Sequence, residues 1–341
     1  MNKKKLLADA LCHSGLVGLA LRLLPRFRGA LRILAYHRIL DIEDEDSYPF
    51  DPELVSASTR EFRWQMAWLK AHFSPMSFSA FMGMLERGEA VPSNAVIVTF
   101  DDGFEDNYSN AYPILRDLEM PATIFLSTGY IGGADTYWFE TVANCIYRLK
   151  TDRLRLPMLN LELDVSDSVA SRRQLAEDVV EAMKVVPEKT RIAALEHLLG
   201  QHPNAGELTR NPLSRPMSWE QVREMSGNGM EFGSHTVSHP VLSRVEAGQL
   251  EFELHESRKT IEEKTGQPAD VIAYPVGGQT EYSDAVMSVA RNAGYRMGVS
   301  YIPGINPLDA LREYELRRIH VERYTSRGEF QAALLLPKVF G

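Results

Sequence analysis

Two adjacent carboxylates, Asp101 and Asp102, follow the short apolar segment 95–100 within the stretch AVIVTFDDGFEDNY. The segment has the β-branched composition of a buried strand. Two ionised carboxylates at the end of such a strand repel each other and lose water. This arrangement is costly unless they share a cation or a proton. The pair therefore predicts a binding site at this position.

Two histidines follow a second apolar segment. His235 and His239 are four residues apart in FGSHTVSHP, and in a helical turn both imidazoles would converge on one ion. The alternative is a pair of polar residues at a strand exit. One Asp and two neutral His would leave a divalent cation with open coordination positions, which is typical of a catalytic site. The second Asp would stay free to take a proton from a metal-bound water.

The elements that must bring these pairs together are short apolar segments alternating with helical patterns. Such alternation is typical of parallel strands joined by helical crossovers. It predicts an α/β fold, a distorted (β/α) barrel of about seven parallel strands, whose carboxyl ends share one face. The predicted strands lie at 31–37, 95–100, 122–128, 230–235, 270–275, 296–301 and 316–321.

One long interval interrupts this rhythm with charge-rich helical patterns, and we interpret it as a mostly helical insertion on a barrel loop. The acidic stretch 41–53 is expected to be a solvated loop, with a lid over an ion or substrate as the alternative. The predicted organisation is an N-terminal amphipathic helix (1–30), the barrel (31–134 and 217–330), the insertion (135–216) and a C-terminal tail (331–341).

Composition restricts the class of protein. The chain has 341 residues, a formal net charge of -9 and 44% hydrophobic residues. The acidic balance lacks the basic footprint of a nucleic-acid-binding protein, so we expect no nucleic-acid partner. Cys12 and Cys145 have no CxxC spacing. A disulfide framework is therefore not indicated, and a reducing compartment is favoured.

The N-terminal 29 residues have a basic start and a largely apolar stretch that Asp9 and His13 interrupt. They lack a clear cleavage site and the roughly 20 apolar residues of a spanning helix. They fit an amphipathic helix on an anionic membrane surface, or equally a helix packed on its own domain. We therefore expect a cytoplasmic protein with peripheral contact to the inner membrane. The sequence does not fix the oligomeric state.

Four motifs, TFDDG, HTVSH, AYPVG and RIH in this order, resemble the polysaccharide deacetylases of the NodB homology type, carbohydrate esterase family 4. The resemblance runs from about residue 31 to 325 outside the insertion, and AYHRI near the start resembles members associated with exopolysaccharide synthesis. It implies a metal-dependent hydrolase that removes N-acetyl groups from amino sugars of a polysaccharide or lipid-linked glycan. The substrate would be a carbohydrate.

Carried over to this chain, the resemblance implies that Asp101 is the catalytic base and that Asp102, His235 and His239 hold one divalent metal ion. Zinc is the leading ion, with cobalt, nickel or iron as alternatives. His320 in RIH would be the general acid, and an imidazole suits that step because its ordinary pKa of about 6.5 lies near working pH. The alternative is a buried, hydrogen-bonded histidine on the last strand.

The third motif departs from the family pattern. Ala273 stands where an Arg that orients the base is usual, and Arg38, Arg317 and Arg318 are alternative replacements. The family's fourth motif, an Asp and Trp group that supports the acid, is not recognisable. These departures motivate an alternative function, a non-catalytic glycan-binding or scaffold member of a polysaccharide synthesis system. A deacylase for another acyl group is a further alternative.

The remaining candidates surround the predicted metal. A backbone N–H near Val276 would complete an oxyanion hole, unless Pro275 and Gly277 form an ordinary turn. His37 would contact substrate or metal-bound water, with a structural hydrogen bond as the alternative. Tyr274 and Trp138 are candidates for substrate binding. Trp138 opens the insertion beside Phe139, which we interpret as a hydrophobic anchor.

Overall fold

The structure is a computed structural model and describes residues 29–336. The predicted N-terminal helix over 1–30 and Cys12 therefore lie outside the described residues, apart from positions 29 and 30. Cys145 is buried as a free thiol. Within 29–336 no helix has the length and apolar character needed to cross a bilayer.

A closed barrel of parallel strands forms the centre of the protein. The first of its strands in the chain pairs in parallel with the second and the last, which closes the barrel. The predicted α/β barrel of about seven parallel strands is thus confirmed. Its strands, in order around the barrel, are β1 (Ala30–Tyr36), β5 (Ala95–Phe100), β6 (Thr123–Leu126), β9 (Glu231–Ser234), β10 (Val271–Ala273), β11 (Met297–Pro303) and β13 (Leu316–His320).

Further strands lie outside the barrel. They are β2 (Arg38–Ile39), β3 (Val55–Ala57), β4 (Ser74–Pro75), β7 (Arg153–Leu156), β8 (Leu161–Asp164) and β12 (Asn306–Pro307). β7 and β8 form an antiparallel hairpin. The helices are α1 (Thr59–His72), α2 (Phe78–Glu86), α3 (Tyr112–Asp117), α4 (Trp138–Tyr147), α5 (Val169–Lys184), α6 (Glu188–Gly200), α7 (Ala205–Leu208), α8 (Trp219–Gly227), α9 (Ala247–Thr265), α10 (Asp284–Asn292) and α11 (Arg327–Leu335).

Local sequence explains where several helices begin and end. The Ser58 side chain accepts a hydrogen bond from the Glu61 N–H at the start of α1, and Ser218 forms a complete capping box with Gln221 before α8. Such caps satisfy N–H groups that have no partner inside the helix. Gly266, at a φ of 69°, ends α9 in the left-handed conformation that glycine adopts at low cost.

Alternate residues of the barrel strands point to opposite sides. Leu31 and Ile33 of β1 join Ile97 of β5 in one apolar cluster with α2. Leu34 and Tyr36, which point to the other side of β1, pack in a second cluster that contains residues of α1. Because side chains alternate along a strand, Asp101 lies on the same side of its strand as Ile97. This periodicity turns Asp101 toward the interior of the barrel, where the cluster of Ile97 lies.

The interval between β6 and β9 contains four helices and the β7–β8 hairpin before α8 begins, so the expected mostly helical character of 135–216 is present together with strands. A separate apolar cluster joins this interval to Tyr48 and Phe50 of the acidic stretch. The predicted tail over 331–341 begins inside α11, whose Leu334 is buried. The last five residues of the chain lie outside the described residues.

Candidate active site

The predicted motifs meet at the carboxyl ends of the barrel strands. Asp101 and Asp102 directly follow β5, His235 follows β9, and His37 follows β1. These four residues, with His239, line one cavity of about 560 Å³. The convergence of strand ends at one face, expected for such a barrel, therefore brings the Asp pair and the His pair together.

Asp102, His235 and His239 form a compact group of potential metal ligands. Oδ1 of Asp102 lies 3.3 Å from Nε2 of His239 and 3.6 Å from Nε2 of His235. The three ligand atoms all lie within 4.8 Å of one another, and the three residues are buried. One carboxylate oxygen and two imidazole nitrogens are a ligand set typical of catalytic zinc.

The polar atoms of this group fit a divalent cation. Oδ1 of Asp102 is buried and accepts no hydrogen bond from the described residues. Burial lowers the pKa of His239 to about 4 and also lowers that of His235, so both rings are neutral near pH 7 and carry a lone pair. Burial raises the pKa of Asp102. A bound cation would reverse that effect and compensate the buried charge.

Contacts behind the ligands fix their orientation. Nδ1 of His235 lies 2.8 Å from the carbonyl oxygen of Ala273, and donation there leaves Nε2 as the ligand atom. Glu253 of α9 accepts hydrogen bonds from the N–H groups of Val237 and Ser238 at 2.7 and 2.9 Å. Sequence reasoning missed Glu253. The sequence signal for Glu253 was its position beside Leu254, on the face of α9 that is buried.

Several residues of the site have their backbone in the sparsely populated left-handed region. Asp102, Thr236, His239 and Val276 have φ values of 73°, 70°, 56° and 63°. Left-handed backbone is costly for residues other than glycine, and it persists where surrounding contacts enforce it. Two of the metal-ligand candidates therefore depend on neighbouring groups for their backbone conformation.

Asp101 is held by Arg318 of β13. Nη1 and Nη2 of Arg318 donate to Oδ1 and Oδ2 of Asp101, each at 2.7 Å, and both side chains are buried. Burial, the largest single effect, would raise the pKa of Asp101, but the charge and hydrogen bonds of Arg318, together with His235 and His37, hold this pKa well below its usual range. Asp101 is therefore an ionised carboxylate throughout the neutral pH range.

Of the alternatives to the family's usual Arg, the structure brings only Arg318 to the base. Arg38 instead donates to Asp106 at 2.9 Å and to Glu140 at 3.1 Å. Arg317 lies on the exposed side of β13 and points to the carbonyl of Pro303. Arg318 thus gives Asp101 the bidentate hydrogen-bond partner that Ala273 cannot provide.

The two histidines considered for contacts with substrate or for acid catalysis differ in position. Nε2 of His37 lies 3.9 Å from Oδ2 of Asp101, and His37 lines the cavity. His320 stacks on Tyr301 with ring centroids 3.7 Å apart and is not among the described residues that line the cavity. Burial lowers the pKa of His320 to about 4. Its predicted role as general acid stays a prediction.

Val276 lines the cavity in left-handed conformation. Its N–H has no acceptor among residues 29–336. A β-branched residue with positive φ is an outlier, and its free donor at the site suits an oxyanion hole. The predicted role of this N–H remains a prediction.

The aromatic residues predicted to bind substrate are almost completely buried, whereas stacking on a sugar requires an exposed ring face. Tyr274 is buried, and its hydroxyl donates to the carbonyl of Tyr314. Trp138 is 3% exposed, and its indole N–H donates to the carbonyl of His239 at 3.0 Å. Trp138, Phe139 and Tyr274 all line the cavity. The contact of Trp138 and Tyr274 with substrate stays a prediction, whereas Trp138 contacts a metal-ligand candidate.

Known proteins resemble this chain in sequence and in fold. A family model described as polysaccharide deacetylase matches residues 88–152 and 167–298, which is more than half of the chain. The gap in the match coincides with the β7–β8 hairpin. Among curated proteins, YxkH of Bacillus subtilis (strain 168) is 24% identical over 274 residues, covering 80% of this chain and 68% of YxkH.

Another relative is named poly-beta-1,6-N-acetyl-D-glucosamine N-deacetylase, from Staphylococcus epidermidis. It is 27% identical over 183 residues, which cover 52% of this chain and 60% of that protein. This chain therefore spans less than two thirds of that relative's length. Among solved structures, the Streptococcus pyogenes deacetylase PplD in complex with acetate has a TM-score of 0.59 at 20% identity, covering 92% of this chain and 99% of that chain. At this identity, the likeness shows a shared fold.

Proposed function

The chain belongs to the polysaccharide deacetylase family, and from this premise we propose that it is a metal-dependent hydrolase that removes N-acetyl groups from amino sugars of a polysaccharide or lipid-linked glycan. One observation carries the proposal. Asp101, fixed by Arg318, lies directly beside the buried group of Asp102, His235 and His239. A free carboxylate next to a metal-ligand group suits hydrolysis of an acyl bond.

Asp102, His235 and His239 would hold the ion. We propose zinc, with cobalt, nickel or iron as alternatives, because two imidazoles and one carboxylate suit each of them. When bound, such an ion supplies Lewis-acid polarisation of the acyl carbonyl and lowers the pKa of a water molecule.

Asp101 orients the attacking water and accepts its proton. Arg318 uses one lone pair on each carboxylate oxygen and leaves the others free to accept. Because the pKa of Asp101 is held low, the carboxylate is always in its accepting form. A weak base also releases its proton readily, and the His37 ring lies 3.9 Å away to take part in that transfer.

For protonation of the departing amine we propose His37. It lines the cavity beside Asp101, whereas His320 lies against Tyr301 and contacts the site through that ring. His320, which the family resemblance implies as the acid, stays the competing assignment. The N–H of Val276 donates to the acyl oxygen as negative charge develops there.

The names of the staphylococcal relatives make a β-1,6-linked N-acetylglucosamine polymer the first substrate to test. The alternative of a non-catalytic glycan-binding protein was motivated in part by the missing Arg at position 273. Arg318 supplies that partner from β13, which favours the enzyme. An O-acetyl ester or a formamide would be attacked by the same groups, so both belong in the substrate screen.

The experiment measures metal content and acetate release together. We expect about one transition-metal ion per chain in the wild type, kept in Asp101→Asn and lost in His235→Ala. Acetate release from N-acetylated glycans should disappear in both variants. Full activity in Asp101→Asn would overturn the assignment of the base. A wild-type protein that binds no ion after reconstitution with zinc would favour the glycan-binding alternative.

We also propose a cytoplasmic location with peripheral contact to the inner membrane, from the basic and amphipathic pattern of residues 1–30. Membrane association should fall when residues 1–25 are deleted. Unchanged association of that truncated chain would contradict a role of this segment as the anchor.

A further inference from the structure

Two adjacent aromatic residues at the start of the interval between β6 and β9 hold the backbone of two metal-ligand candidates. The hydroxyl of Tyr137 donates to the carbonyl oxygen of Asp102 at 2.7 Å. The indole N–H of Trp138 donates to the carbonyl oxygen of His239 at 3.0 Å. Both aromatic side chains are buried, so water does not compete with these hydrogen bonds.

The two receiving residues are the ligand candidates with left-handed backbone. Asp102 has a φ of 73° and His239 a φ of 56°, whereas His235 is not among the positive-φ residues. Such a conformation persists only where surrounding groups enforce it. A donor fixed on the carbonyl restrains the peptide plane of each residue. It thereby maintains the 3.3 Å approach of Oδ1 of Asp102 to Nε2 of His239.

The donors are themselves anchored on opposite sides. The Trp138 ring lies under the guanidinium of Arg191 in α6, 4.6 Å from its centroid, and Arg191 pairs with Glu188 at 2.8 Å. Tyr137 packs against Phe104 and Tyr130, with ring centroids 4.7 and 4.5 Å away. The pair therefore connects the ligands both to α6 and to the loops that follow β5 and β6.

We infer that Tyr137 and Trp138 are positioning residues of the metal centre, and that α4 with its packing partner α6 is a structural part of that centre. The inference rests on the proposed function, since it takes Asp102, His235 and His239 as the ligands. Metal affinity then depends on the two donors. By linkage, a bound ion stabilises the docking of α4 in return.

The test uses variants of the full chain that delete a donor and keep an aromatic ring. Tyr137→Phe removes one oxygen atom, and Trp138→Phe removes the indole N–H. Trp64→Phe, in α1 against Phe330, is the matched control for loss of an indole. Zinc affinity is measured by competition with a chromophoric chelator, and the visible spectrum of the cobalt-substituted protein reports ligand geometry.

We expect each donor variant to bind zinc about tenfold more weakly, at the lower end of the range for outer-shell partners, and the double variant to bind more weakly than either. The cobalt spectrum should change in both single variants and stay unchanged in Trp64→Phe. Amide exchange in the metal-free protein should become faster around Thr236–His239. Tyr137→Phe keeps the test decisive if Trp138→Phe does not fold.

Wild-type affinity and spectrum in folded Tyr137→Phe and Trp138→Phe proteins would overturn the inference while leaving the proposed function intact. A wild-type chain without affinity for zinc or cobalt would overturn both. Weaker binding in Trp64→Phe as well would assign the effect to general destabilisation and contradict a positioning role.

Discussion

Arg318 of β13 holds both carboxylate oxygens of Asp101, which follows β5, and β1 lies between these two strands. The two residues are 217 positions apart in the chain. The closed barrel places a guanidinium beside Asp101 although position 273, where the family usually has Arg, is Ala. Asp101, the proposed base, therefore has a bidentate partner that comes from a different strand.

Replacing Arg318 should impair both catalysis and stability. Arg318→Met leaves a buried carboxylate unpaired, which costs about 3–5 kcal/mol of unfolding free energy. Misplacement of the base should lower kcat/KM by about 10²-fold. Without the guanidinium, burial raises the pKa of Asp101, so the acid limb of the pH–rate profile should move to higher pH.

Two further variants sharpen this prediction. Arg318→Lys keeps the charge without the planar fork and should recover stability better than activity. Arg317→Met, on the exposed side of the same strand, is the matched control and should behave like the wild type. An unchanged acid limb in Arg318→Met would show that Arg318 does not set the pKa of the base.

The Asp101–Arg318 pair should make stability depend on pH in a defined direction. The folded-state pKa of Asp101 is lower than its unfolded value of about 3.9. The stabilisation is therefore complete only above about pH 5, one unit above the unfolded value, and is lost progressively as the pH falls toward the folded-state pKa. Urea unfolding of metal-free wild type and Asp101→Asn should show a difference in free energy that shrinks from about pH 6 to about pH 3. A constant difference would contradict this prediction.

Substitution of the two candidate acids should separate their roles. His37→Asn is expected to lower kcat by about 10²–10⁴-fold, the usual range for loss of a general acid or base, with metal content unchanged. His320→Asn should lower kcat less, because its ring reaches the site through Tyr301. Steady-state kinetics across pH, beside metal analysis, decide between them. The reverse order of effects would restore His320 as the acid.

Removal of the ion should destabilise the fold. An ion present at about 100 times its Kd adds about 2.7 kcal/mol to the unfolding free energy. Chelation should therefore lower Tm by roughly 4 °C for a chain of 341 residues. Calorimetry with and without EDTA measures this change. Asp102→Ala serves as the control, because it lacks a ligand and its Tm should not respond to EDTA.

The barrel and its metal-ligand group could be predicted from the sequence because both have local signals. Strands such as β5 are continuous apolar runs since both of their faces are buried. Asp102 and His235 stand at strand exits, and His239 follows His235 by four residues. A barrel that converges its strand exits brings Asp102 and His235 together, and the short spacing keeps His239 near them.

The parts that escaped prediction depend on contacts between distant segments. The choice of Arg318 over Arg38 follows from strand register around the closed barrel, which the sequence does not encode locally. Tyr137 and Trp138 donate hydrogen bonds to backbone carbonyl oxygens. Every residue has such a carbonyl, so the sequence does not indicate which one receives a donor. The left-handed φ of His239 creates the need for such a donor, and HTVSH gives no local sign of it.

Barrel closure also determines when the site can first exist during synthesis. Asp101, Asp102, His235 and His239 emerge from the ribosome well before β13, yet the partner of Asp101 is residue 318. Until that strand is inserted, the carboxylate of Asp101 lacks its counter-charge. The sheet also has an open edge at β1, because β1 pairs with β13. A nascent chain that stops short of β13 should thus be inactive and prone to pair with other chains through the open edge. Formation of the site therefore waits for the last strand.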